Sequence, residues 1–61
     1  MINIAICDDE VQELMNTQKL LTKYIVDHPE YEIKSYSFMA PLELLAHMGK
    51  QGGFDVMLHN I

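Results

Sequence analysis

Arginine and tryptophan are absent from these 61 residues, and cysteine occurs once, at Cys7. A single thiol excludes an internal disulfide, and His28, His47 and His59 stand too far apart in sequence for a local zinc motif. Positive charge is scarce: four lysines against nine carboxylates give a formal net charge of −5. That balance argues against a footprint built on phosphate neutralisation, so no direct contact with nucleic acid is expected. No apolar run approaches the ~18 residues of a bilayer-spanning helix. Nor does a basic stretch precede an apolar one at the N-terminus, so neither membrane segment nor signal peptide is expected, and a reducing, cytoplasmic setting is the default.

With only three glycines and two prolines there is no linker or low-complexity stretch, and 49% apolar with 21% charged residues is globular composition. One domain over residues 1–61 is expected. A chain this short buries only about 60% of the surface its unfolded form exposes. Small domains compensate with disulfides, metal or oligomerisation. The sequence leaves oligomerisation as the easiest of the three.

Ile2 to Cys7 (INIAIC) is a short apolar run rich in β-branched residues, the pattern of a strand covered on both faces. From Glu10 to Asp27 the period becomes helical. Val11, Leu14, Met15, Leu21, Ile25 and Val26 fall on one arc, with Gln12, Asn16, Lys19, Lys23 and Asp27 opposite. Asp9 is the expected N-cap, and His28-Pro29 ends the helix. Tyr31 to Phe38 mixes β-formers with Glu32 and Lys34, as an edge strand does. Met39 to Lys50 gathers Leu42, Leu44, Leu45 and Met48 into a second helix, with Pro41 in its first turn and Gly49 as its stop. Phe54 to Leu58 is a third strand, followed by His59, Asn60 and Ile61.

Strand, helix, strand, helix, strand implies parallel strands joined by right-handed crossovers, an α/β layered fold. Ligands in such sheets bind beyond the carboxyl ends of the strands, which directs attention to Asp8, Asp9, His59 and Asn60. Adjacent carboxylates are hard oxygen ligands suited to Mg²⁺. Asp8 and Asp9 serve equally well as a turn and a helix cap. Met15, Met39, Met48 and Met57 are expected to fill the core, Cys7 to be an inert buried thiol, and His28 and His47 to lie on the surface.

The run IAICDDE, the following helix, edge strand and second helix, and the closing FDVMLHNI resemble a response-regulator receiver domain over the whole chain. The nearest likeness is to receivers preceding LytTR-type DNA-binding domains. There the first strand ends in Asp-Asp-Glu, and the third reads Phe-Asp, apolar residues, then Asp-Ile. The resemblance implies a flavodoxin-like βαβαβ half with three parallel strands in order 2-1-3. It also implies that Asp8 and Asp9 hold Mg²⁺, and that position 60 accepts a phosphoryl group from a histidine kinase.

Two departures follow. Position 60 is Asn60, and an amide cannot form the acyl phosphate a carboxylate forms, so phosphotransfer is expected to fail and Mg²⁺ to bind weakly. No catalytic residue or enzymatic activity is therefore expected. His59 stands where the family carries an apolar residue. A full receiver is roughly twice as long, so the sequence reads as a truncated N-terminal half without the later Ser/Thr and Lys. Its parent would act in two-component phosphorelay and transcription regulation. The alternative is a non-enzymatic interaction module that pairs, for instance as a dimer, through its third strand, residues 54–58.

Overall fold

The computed structural model describes residues 1–60, and the side chains of residues 1–59. Ile61, expected to follow the third strand, lies outside the described residues. The elements are β1 (Ile2–Asp8), α1 (Val11–Asp27), β2 (Ile33–Phe38), α2 (Pro41–Gln51) and β3 (Val56–Asn60). All three strands are parallel, in the order β2-β1-β3, the α/β arrangement expected.

β1 is central, between β2 and β3, and is the strand buried on both faces. Ala5 and Cys7 are fully buried and pack with Leu44 of α2, joined by Phe38, Met48 and Phe54. Alternation sends Ile4 and Ile6 to the other face. There Gln18 of α1 donates from Nε2 to Oγ of Ser37, the register partner of Ile6. The helices therefore cover opposite faces, as right-handed crossovers on either side of β1 require. Ile4 and Ile6 are buried beneath α1. One helix suffices for a strand with a neighbour on each side.

Both helices pack over β1 and β2, and among the described residues neither packs on β3. Val56, Met57 and Leu58 are consequently more than 40% exposed, on both faces of the sheet. The expected core-filling role of the methionines fails for Met15, Met39 and Met57, all exposed, and holds for Met48. Val11 and Val26 of the predicted α1 stripe are exposed too, as are Leu42 and Leu45 of α2. A narrow sheet receives a narrow strip of each helix, so α1 buries Leu14 alone and α2 buries Leu44 alone.

Helix ends also differ from the sequence expectation. Glu10, not Asp9, is the N-cap of α1 and makes no side-chain cap bond. Asp8 instead accepts the Glu10 N–H at Oδ1 (2.9 Å), a turn that shapes the exit from β1. Helix α2 runs through Gly49 and ends at Gly52, whose φ of 88° is open to glycine without a Cβ penalty. His28 caps α1 at its C-terminus. Its backbone N–H donates to Tyr24 and Ile25 carbonyls, while its ring stacks on Tyr24 with centroids 4.1 Å apart.

His47 is not on a polar helix face. It is half-buried, stacked on Phe54 (centroids 5.3 Å, planes 21° apart) and in contact with Tyr36 and Phe38. Tyr36 and Phe38 are the register partners of Ala5 and Cys7, so these rings extend the α2-side core outward from β1.

Candidate functional site

The carboxyl ends of β1 and β3 lie side by side, and between them runs the point where strand order reverses. β1 connects outward to β2, and the chain then crosses back over β1 to enter β3. Crevices at such points are where open α/β sheets bind ligands.

Asp8 closes β1 and is only 4% exposed. A carboxylate this deeply placed needs polar partners, and the Glu10 N–H is one of them. Asp9, the next residue, is exposed, because the chain has left the strand and turns toward α1. The two adjacent carboxylates thus occupy different settings, one held within the sheet end and one in solvent. Across the ladder, Asp8 pairs in register with Asn60, and Cys7 with His59. The side chain of Asn60 falls outside the described residues, so its placement rests on the backbone pairing. His59 is exposed, in keeping with a residue that takes no part in the core.

A cleft of about 300 Å³ opens here, lined by Ile6, Cys7, Asp8, Thr17, Leu58 and His59. Thr17 was not singled out by sequence. It sits on the flank of α1 that faces toward β3, a position that helical periodicity could have suggested but that gains meaning only once the strand order is known. Among the described residues no group of three or more His, Cys, Asp or Glu side chains is gathered as a metal-holding cluster.

Cys7 precedes Asp8 at the end of β1 and is fully buried. Burial pushes its thiol above the ordinary value of 9.0, and the negative charges of Asp8, Glu43 and Asp9 push it further the same way. The thiolate is the reactive form, so Cys7 is expected to resist a thiol-specific disulfide reagent in the folded chain and to react fully once urea unfolds it. Rapid labelling of folded protein would contradict this. The same shift has a stability consequence. Because the folded value is raised, the unfolded chain ionises first, and stability should decline as pH rises above about 9 toward the folded value. Urea midpoints measured on either side of that pH, with Cys7→Ser as the control, test the sign.

Against protein-family models, curated proteins and solved structures, this chain finds no match.

Proposed function

We propose that the chain supplies the first βαβαβ half of a response-regulator receiver domain, with Asn60 at the phosphoacceptor position leaving it unable to accept a phosphoryl group. The observation that supports this reading is the register pairing of Asp8 with Asn60 at the carboxyl ends of adjacent parallel strands, beside Asp9. An aspartate at position 60 would set a second carboxylate beside the buried Asp8 at the sheet end, with Asp9 in solvent next to them. Asparagine keeps the size and shape but removes the anionic oxygen that would attack phosphorus.

Asp8 and Asp9 are the residues that would hold Mg²⁺, as hard oxygen ligands with water and the ligand's own oxygens filling the remaining positions. Bound there, the ion would neutralise phosphoryl charge. Asn60 brings no charge to the site, so the affinity expected is weak. The histidine kinase, phosphorelay and transcription control implied by the receiver likeness belong to an intact LytTR-type regulator in the cytoplasm. For this chain the expectation is a non-enzymatic signalling element.

The test restores the carboxylate. Wild type and Asn60→Asp are each incubated with Mg²⁺ and acetyl phosphate, in the presence of the second half of a receiver domain supplied as a separate polypeptide. Intact mass is then measured. Asn60→Asp is expected to gain one phosphoryl group, removable by hydroxylamine, and wild type to gain none. Phosphorylation of wild type would refute the role given to Asn60. Failure of Asn60→Asp to gain a phosphoryl group, with the two halves shown to associate, would refute the receiver reading itself.

A further inference from the structure

We propose that the outer edge of β3 pairs with the same edge of a second copy, antiparallel and about a two-fold axis at Met57, giving a six-stranded sheet β2-β1-β3-β3′-β1′-β2′. This inference is independent of the receiver reading. Three observations carry it. The first is that β3 is an edge whose outer side meets no strand among the described residues, and neither helix packs on it. An edge of this kind templates another strand.

The second is composition. Val56, Met57 and Leu58 are each 42–44% exposed and carry no charge. The opposite edge of the sheet, β2, carries Lys34 at its second position, with Glu30 and Glu32 just before it. Two copies of a chain with net charge −5 repel each other, so association favours the surface where carboxylates are fewest. Of the nine, only Asp55 lies between Phe54 and Asn60.

The third is that this one charge is complemented by the strand's own sequence. The segment Asp55-Val56-Met57-Leu58-His59 reads as acid, three apolar residues, imidazole. An antiparallel two-fold at Met57 sets Met57 opposite itself and Val56 opposite Leu58 of the second copy. It also sets Asp55 opposite His59 of the second copy, and the symmetry creates that contact twice. An imidazole N–H can donate to a carboxylate whether or not the ring is protonated. Asp55 and His59 are both exposed. Asp55 Oδ2 accepts the Asn3 N–H of β1 at 2.8 Å, which anchors the entry to β3; the proposed contact with the second copy uses its other oxygen. No charge is then left facing its like across the new ladder.

Light scattering after size-exclusion chromatography, across a range of concentrations, is the experiment. Wild type should form a concentration-dependent dimer and nothing larger. His59→Asp places two carboxylates opposite each other at both symmetric contacts, and dimer affinity should fall about tenfold or more. Asp55→Lys should likewise weaken its own homodimer. Mixing the two variants should then restore dimerisation, because the heterodimer sets Lys against Asp on one side and Asp55 against His59 on the other. Far-UV circular dichroism checks that each variant is folded. Should Asp55→Lys not fold, having lost its bond to Asn3, the comparison of His59→Asp with wild type decides alone. A wild type that stays monomeric at high micromolar concentration would overturn the proposal, and so would a His59→Asp dimer as stable as wild type. Species growing beyond a dimer would overturn the closed two-fold.

Discussion

Leu44→Ala is expected to destabilise the fold by about 2–5 kcal/mol, a large share of its total stability, whereas Leu45→Ala, one residue on, should change stability by no more than about 0.5 kcal/mol. The two leucines are adjacent in one helix and chemically identical, so only their surroundings separate them. Leu44 is 5% exposed and packs on Ala5 and Cys7 at the centre of the sheet, while Leu45 is 61% exposed. Truncating a buried leucine costs about 2–5 kcal/mol, through lost burial and the cavity left behind. The whole stability of a domain this size, at roughly 0.05–0.15 kcal/mol per residue, is about 3–9 kcal/mol. Few other groups can make up the loss, since among the described residues Ile4, Ala5, Ile6, Cys7, Leu14 and Leu44 are the buried apolar ones. Urea titration followed by far-UV circular dichroism measures both variants. Equal midpoints for the two would mean that α2 does not present Leu44 to the sheet.

Substituting alanine for two glycines three residues apart should produce effects of opposite sign. Gly52→Ala is expected to destabilise by about 2 kcal/mol, because φ 88° with ψ −172° lies in a region that is essentially reserved for glycine. No neighbouring atom lies within 4 Å of a Cβ built there, so the cost comes from the backbone alone. Gly49 lies inside α2, and a Cβ on it also meets nothing within 4 Å. Gly49→Ala should stabilise by about 0.5–1 kcal/mol through helix propensity and reduced freedom of the unfolded chain. Urea midpoints again decide. If the signs were reversed, α2 would end at Gly49, the stop its sequence first suggests.

Local pattern was enough to locate every strand and helix, with boundaries shifted by up to two residues. INIAIC is apolar at every position but Asn3, the pattern of a strand covered on both faces. Tyr31 to Phe38 carries Glu32 and Lys34 and belongs at a rim. Alternation of strands and helices makes the strands parallel. These properties follow from each segment's own chemistry and need no knowledge of the others.

What tertiary structure decided is how much of each helix is used. Periodicity marks an arc of six apolar positions on α1, but β1 and β2 together offer room for little more than Leu14, with Leu21 and Ile25 half-covered. His47 shows the converse. Its polar type points to the surface, yet it sits three residues after Leu44 on the face of α2 that meets Tyr36, Phe38 and Phe54, and position overrides type.

The candidate site divides along the same line. The sequence by itself determined that Asp8 and Asp9 end one strand and that Asn60 ends another. It could not determine that Asp8 is buried and Asp9 exposed, because that depends on which residue still belongs to the ladder when the chain turns. Nor could it make Asp8 and Asn60 register partners, since 52 positions separate them and only the crossover through α2 sets β3 beside β1. The scarcity of disulfides and positive charge seen at the outset is a property of the chain alone. An exposed β3 with a single carboxylate, Asp55, at its entry is a property of the fold, because exposure depends on what packs against a segment as well as on what the segment contains.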